Sequence, residues 1–155
     1  MTRGVVVVGY GNAMRTDDGF GWHAADRLAD DPRLAGVEIL QRHQLTPELA
    51  FDVSAAALVV LVDATSRLRP GAVAVERVEP SDAARSTWSH HVSPGVLVSL
   101  ACELYGRSAD VFVVSCGVQS AEIGDRLSSV AEAALPDAIN AVAGLVALRR
   151  GTGSA

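Results

Sequence analysis

Adjacent carboxylates stand where a strongly apolar segment gives way to a polar one. Asp17 and Asp18 lie in GYGNAMRTDDGFG, residues 9–21, soon after a run of four valines closed by glycine. Another carboxylate, Asp63, directly follows the apolar run LVVLV at residues 58–62. Burial alone does not favour an acid at the end of such a strand. Asp18 and Asp63 are therefore candidates for chemistry, although Asp18 could simply cap a helix and Asp63 could begin a turn.

A histidine pair supplies a further candidate group. His90 and His91 occur in WSHHVSP, a polar stretch ahead of a predicted helix. In open parallel sheets, ligands bind outside the carboxyl ends of the strands. We expect Asp18 and Asp63 to share that edge and a histidine to reach it. Two carboxylates and one imidazole could bind a divalent transition metal or serve as an acid–base set for hydrolysis, whereas loop histidines without a role are the plain alternative.

The glycine-rich turn at residues 9–21 also contains half of a dinucleotide-binding motif. Met14 stands where the third glycine of GxGxxG would be, and the second strand ends near Gln41 or Arg42 where an acid would bind the ribose. The acids that open the next helix would also repel a pyrophosphate. We therefore expect neither a nicotinamide nor a flavin cofactor.

The elements that must position these residues alternate between strands and helices. The pattern predicts a three-layer α/β/α sandwich around a mostly parallel twisted sheet of about five strands. The predicted strands are residues 4–11, 36–40, 58–65, 71–78 and 110–118, and the predicted helices are residues 18–30, 46–57, 94–105 and 128–150.

Three prolines refine these predictions. Pro70 and the glycine after it precede the fourth strand too closely for a crossover helix, so this strand is expected to be antiparallel. Thr46 is expected to cap the second helix, with Pro47 in its first position. Pro136 is expected to interrupt the last helix.

Length, composition and net charge favour one compact cytoplasmic domain. The chain has 155 residues, 49% of them hydrophobic, which suits a single domain at residues 1–150 and a disordered tail at residues 151–155. The net charge of −5 includes no basic block, which argues against nucleic acid or an anionic membrane as partner. We find neither a basic leader nor an uninterrupted apolar span. Cys102 and Cys116 lack CxxC spacing and are expected to be buried apolar side chains.

These motifs resemble those of the hydrogenase maturation proteases, which remove a C-terminal extension from the large subunit of nickel-iron hydrogenases. GYGNAMRTDDGFG is similar to the family's opening strand, GxGN step and acidic pair. LVVLVDAT resembles its strand followed by Asp-Ala, and SHHVSPGVL resembles its histidine loop before a helix. GVQSAEIGDRLSSV is similar to the stretch after its last strand, so the resemblance covers nearly the whole chain.

The resemblance implies a set of nickel ligands. Carried onto this chain, they are Asp18, Asp63 and His90. His90 is preferred to His91 because the family pattern places an apolar residue two positions after the histidine, where this chain has Val92. The resemblance implies no permanently bound cofactor, because nickel is supplied by the protein substrate, the immature large subunit, and acts as a recognition tag.

The implied activity is that of a hydrolase, a metal-recognising endopeptidase of aspartyl type that acts in the cytoplasm as a monomer on the hydrogenase large-subunit precursor. Asp17 would cap or orient the turn that carries Asp18. The sequence leaves open whether Asp18 or Asp63 activates the attacking water or whether the nickel polarises the peptide carbonyl. The alternative is a non-catalytic nickel-sensing or chaperone module with the same ligands. QRHQLTPEL lacks the acidic, glycine-containing turn that some relatives have after the second strand. If that turn helps to engage the hydrogenase, this chain is expected to serve a different hydrogenase subgroup.

Overall fold

The computed structural model describes residues 4–81, 92–119 and 122–153. Within them strands and helices alternate along the chain except between the third and fourth strands, which follow each other without a helix, as the sequence predicts. The elements are β1 Val5–Tyr10, α1 Phe20–Ala29, β2 Glu38–Arg42, α2 Leu49–Ala55, β3 Leu58–Thr65, β4 Val73–Arg77, α3 Pro94–Tyr105, β5 Asp110–Gly117 and α4 Ser129–Gly153.

The strands form one mixed sheet with the order β2-β1-β3-β5-β4. All neighbouring pairs are parallel except β4 and β5. The predicted α/β class, the mostly parallel sheet and the antiparallel fourth strand are therefore confirmed. The partner of β4 is β5, which inserts between β3 and β4, so the strand that follows β3 in sequence does not lie beside it.

Helices cover both faces of the sheet because the central strand is apolar on both sides. Val60 and Val62 of β3 join a core cluster that contains residues of α1 and α4. Val59 and Leu61 join a second cluster that contains residues of α2 and α3. Successive strand residues point to opposite faces, so the continuous apolar run of β3 supplies both cores.

Two glycines bring α1 against the sheet. A Cβ atom on Gly21 would lie 2.5 Å from the backbone oxygen of Val62, and one on Gly9 would overlap the backbone oxygen of Gly21. Only glycine allows this close approach of helix and strand backbones. The turn that precedes α1 is thereby held over the carboxyl ends of β1 and β3.

The predicted starts of two helices were wrong. Thr16–Gly19 forms a 3-10 turn, and α1 begins only at Phe20. Likewise Thr46 does not cap α2, whose N-cap is Glu48. The backbone oxygen of Thr46 accepts a hydrogen bond from the Leu49 amide at 3.1 Å, so a tight turn replaces the first predicted helical turn.

The prediction for the end of the chain was also wrong. α4 runs through Pro136 to Gly153, so the helix is not interrupted and residues 151–153 are not a separate tail. Proline removes one helical hydrogen bond, but Leu135 and Ala138 are fully buried beside it. This packing compensates for the missing bond.

The cysteine prediction holds for only one of the two thiols. Cys116 is buried in β5, where burial raises its pKa to about 11. Cys102 is exposed in the last turn of α3, where residues 102–105 are all exposed.

One helix of the described residues, Ser129–Gly151 within α4, is long and apolar enough to cross a membrane by length and composition alone. That test is also passed by core helices of soluble proteins. Here Ala131, Leu135 and Val142 of this helix are buried in the core beside the sheet, which accounts for its apolar composition.

Candidate functional site

A cleft of about 480 Å³ opens at the carboxyl edge of the sheet. Its walls come from the ends of β1, β2 and β3, from the segments that follow β1 and β2, and from Val92, which precedes α3. The lining residues are Tyr10, Gly11, Asn12, Asp18, His43, Gln44, Leu45, Asp63 and Val92. The structure thus brings Asp18 and Asp63 to the same cleft, as the strand-end argument predicts.

Asp18 is held by the turn that follows β1. Its Oδ2 accepts a hydrogen bond of 2.8 Å from the backbone amide of Asn12. Gly11 has a φ of +137°, and a Cβ atom there would overlap the backbone oxygen of Asp18. Gly11 therefore lets the chain fold back closely enough for the Asn12 amide to bind the carboxylate of Asp18.

Asp17 has a different role from its neighbour, because it is completely buried. Its carboxylate accepts hydrogen bonds from the Gln119 amide at 2.8 Å and from the Ser128 amide at 2.7 Å. The hydroxyl of Ser128 donates a further bond of 2.8 Å. Asp17 thus fastens the turn that carries Asp18 to the segment between β5 and α4. Sequence reasoning expected an orienting role but not these distant partners.

Asp63 lies at the end of β3 and is electrostatically coupled to Asp18. Burial raises the pKa of Asp63 to about 6. Hydrogen bonds from Tyr10 and from the Ala64 backbone oppose this rise in pKa, the negative charge of Asp18 adds to it, and Arg67 opposes it. At neutral pH the cleft holds a mostly ionised Asp63 whose charge is poorly solvated, a state that a bound cation would stabilise.

Tyr10 was missed by the sequence reasoning. Its hydroxyl donates a hydrogen bond of 3.0 Å to Oδ2 of Asp63. Burial, followed by the charge and the hydrogen bond of Asp63, raises the pKa of Tyr10 far above its usual range, so the hydroxyl keeps its proton. The available signal was a tyrosine at the end of an otherwise valine- and glycine-rich strand, but strand register was needed to interpret it.

The histidine pair, His90 and His91, lies outside the described residues. Val92, the next residue in the chain, lines the cleft, and its amide donates to the backbone oxygen of Leu45 at 3.1 Å. Within residues 4–81, 92–119 and 122–153, no group of three His, Cys, Asp or Glu side chains is arranged to hold a metal ion. The ligand set of Asp18, Asp63 and His90 stays a prediction.

His43 is a second residue of the cleft that sequence reasoning did not single out. It is exposed and follows the last residue of β2. The signal available from sequence was its position directly after a predicted parallel strand, the same criterion that marked Asp63. An imidazole here can donate or accept hydrogen bonds to a molecule in the cleft.

The arrangement suits oxygen coordination of a cation that retains other ligands. Two carboxylates line an open cleft, and one of them has its pKa raised by burial and by the charge of the other. Such a pair fits a divalent metal, provided that further ligands come from elsewhere.

The sequence matches no protein-family model and no curated protein. Solved structures do match. The hydrogenase 2 maturation peptidase of Thaumarchaeota archaeon SCGC_AB-539-E09 has 25% identity and a TM-score of 0.68, covering 93% of this chain and 98% of its own. The hydrogenase maturating endopeptidase HybD of E. coli has 24% identity and a TM-score of 0.71, and the match covers 96% of this chain and 93% of HybD.

A third similar structure is the [NiFe] hydrogenase maturation protease HycI of Thermococcus kodakarensis KOD1, with 22% identity and a TM-score of 0.69. The match covers 92% of this chain and 91% of HycI. The likeness in all three extends over nearly the full length of both chains. It confirms in three dimensions the resemblance that the sequence motifs indicate.

Proposed function

We propose that this chain is a hydrogenase maturation endopeptidase that removes the C-terminal extension of a nickel-loaded large-subunit precursor. One observation carries the proposal: Asp18 and Asp63, the carboxylates that the motif resemblance marks as nickel ligands, line one cleft. The likeness to solved maturation peptidases along more than nine-tenths of both chains supports the same activity.

The third ligand is assigned to His90. Val92 lines the cleft, and two residues of extended chain span at most about 7 Å. The proposal therefore takes the third ligand from the histidine pair that precedes Val92 in sequence. The motif, with its apolar residue two positions later, selects His90.

Nickel is part of the substrate in this proposal. The precursor brings the ion with its own ligands, and Asp18, Asp63 and His90 complete its coordination. Binding the ion places the scissile peptide beside the cleft. Hydrolysis then consumes one water, leaves a new carboxyl terminus on the large subunit and releases the extension as a peptide. We assign the reaction to the cytoplasm and the active form to the monomer.

The direct test compares nickel-loaded and nickel-free precursor after incubation with the protein, with mass spectrometry of the products. We expect a shortened large subunit from the loaded precursor only. Tight binding to loaded precursor without cleavage would instead identify the nickel-sensing or chaperone module. The proposal would be overturned if the protein neither bound nor cleaved any nickel-iron hydrogenase precursor from the source genome.

A matched pair of variants tests the site assignment. Asp18→Asn removes a cleft carboxylate, whereas Asp30→Asn removes an exposed one at the end of α1. We expect the first variant to lose processing and the second to process at the wild-type rate. Equal rates in both variants would exclude Asp18 from the site.

A further inference from the structure

Tyr10 connects the first strand to the candidate site. Its hydroxyl donates to Oδ2 of Asp63 at 3.0 Å, and both residues line the cleft. The other residues of β1 are four valines and one glycine, which have no side-chain polar atoms. The hydroxyl is thus the only side-chain hydrogen-bond donor that β1 can bring to the cleft.

Strand register fixes this pairing. Val8 lies beside Leu61 and Gly9 beside Val62 in the parallel ladder of β1 and β3. The next residues in this register are Tyr10 and Asp63. Side chains at neighbouring positions of adjacent strands point to the same face of the sheet, so the contact follows from the ladder itself.

The tyrosine ring is held by the core. It packs against the apolar cluster that contains Val8, Leu45 and Leu49, and Val92 packs against the same cluster. Leu45 and Val92 also line the cleft. A ring fixed on one side by the sheet and on the other by the cleft wall presents its hydroxyl at a defined position.

The hydroxyl restricts the carboxylate that it contacts. A donor on Oδ2 restricts the plane of the Asp63 carboxylate, and the Ala64 backbone supplies a second hydrogen bond to the same carboxylate. Asp18 is restricted in the same way, because its Oδ2 accepts the Asn12 amide at 2.8 Å. Each carboxylate of the cleft is thus anchored by hydrogen bonds before any ion arrives.

We propose that Tyr10 is a positioning residue that orients Asp63 for the nickel ion carried by the precursor. The inference rests on the proposed function. Tyr10 does not contact the reacting atoms in this role, but acts through Asp63. Hydrogen-bonding partners of metal ligands typically contribute a factor of about 10 to 100 in metal affinity.

The test uses Tyr10→Phe, which removes only the hydroxyl, with Tyr105→Phe as the matched control. Tyr105 is about half exposed on α3, where its ring packs edge to face on Phe51, and it does not line the cleft. Titration calorimetry with Ni²⁺ measures metal affinity in both variants. We expect Tyr10→Phe to bind Ni²⁺ about tenfold more weakly than wild type and Tyr105→Phe to bind it equally.

Precursor binding separates positioning from a purely structural role. The Tyr10→Phe variant should show a KM for nickel-loaded precursor raised by about the same tenfold factor. Its affinity for nickel-free precursor should equal that of wild type, because the missing hydroxyl acts only through the metal ligand. A damaged fold would weaken both complexes.

The outcomes distinguish the two hypotheses. If wild type recognises and cleaves nickel-loaded precursor but Tyr10→Phe matches it in Ni²⁺ affinity and KM, only the role of Tyr10 is overturned. If wild type recognises neither Ni²⁺ nor nickel-loaded precursor, the proposed function fails and the inference fails with it. Should free Ni²⁺ bind too weakly for calorimetry, the comparison of loaded and nickel-free precursor decides.

Discussion

Replacing Asp63 with asparagine is expected to stabilise the protein at neutral pH. Burial raises the pKa of this carboxyl from 3.8 to about 6, so the folded protein favours its uncharged form. Each pKa unit corresponds to about 1.4 kcal/mol, and keeping the charged form in the fold therefore costs about 3 kcal/mol above pH 7. Asparagine has nearly the same shape, carries no charge and can still accept the hydrogen bond from Tyr10.

The stabilisation should depend on pH in a defined direction. Between about pH 4 and pH 6, the folded wild type holds more protons at Asp63 than the unfolded chain does, so this group makes stability fall as pH rises. Asp63→Asn has no ionisable group at this position, so it lacks this loss of stability with rising pH. The variant should exceed wild type in free energy of unfolding by less than about 1 kcal/mol at pH 4 and by about 3 kcal/mol at pH 7.5.

Urea denaturation at pH 4 and pH 7.5 measures these differences, with equal m values as the check that both proteins unfold from comparable states. Processing activity should be lost in the same variant. A variant that is less stable than wild type at pH 7.5, or whose advantage is the same at both pH values, would refute the reasoning. It would mean that Asp63 contributes to the fold rather than costing it stability.

Other side chains give further tests. Asp17→Asn should lower the free energy of unfolding in urea by at least about 2 kcal/mol, because an amide cannot replace a charged acceptor of three hydrogen bonds. Wild-type stability in this variant would contradict the anchoring role of Asp17. Asp18→Asn should lose processing yet keep a free energy of unfolding within about 0.5 kcal/mol of wild type, whereas gross unfolding would assign Asp18 to the fold. Native protein should react with a thiol reagent at Cys102 alone and at Cys116 only in denaturant; rapid labelling of both would show that β5 is accessible.

Local signals explain the elements that were predicted well. β3 occupies Leu58–Thr65 and α3 occupies Pro94–Tyr105, as the sequence indicates. A continuous β-branched run is typical of a buried strand. For α3, the Ser93 side chain accepts from the Val96 amide, and Gly106 adopts the left-handed conformation that ends helices.

Boundaries that depend on packing were predicted less well. α4 continues through Pro136 because neighbouring residues are buried against the sheet, an effect that residue propensity does not contain. The position of β4 beside β5 depends on which strand inserts next to β3, and that choice is made by segments far apart in the chain.

The same limit applies to the candidate site. The convergence of Asp18 and Asp63 on one cleft follows from the parallel sheet and was predictable. The partners of Asp17, more than 100 residues away at Gln119 and Ser128, were not. The pairing of Tyr10 with Asp63 required the register of β1 and β3, which hydrophobic patterns alone do not specify.

Anomalous diffraction at the nickel absorption edge, from crystals of the protein saturated with Ni²⁺, tests the central claim most directly. We expect one strong peak in the cleft, coordinated by carboxylate oxygens of Asp18 and Asp63 and by an imidazole nitrogen of His90. Nickel bound only at other surfaces, or coordination in the cleft without those carboxylates, would contradict it.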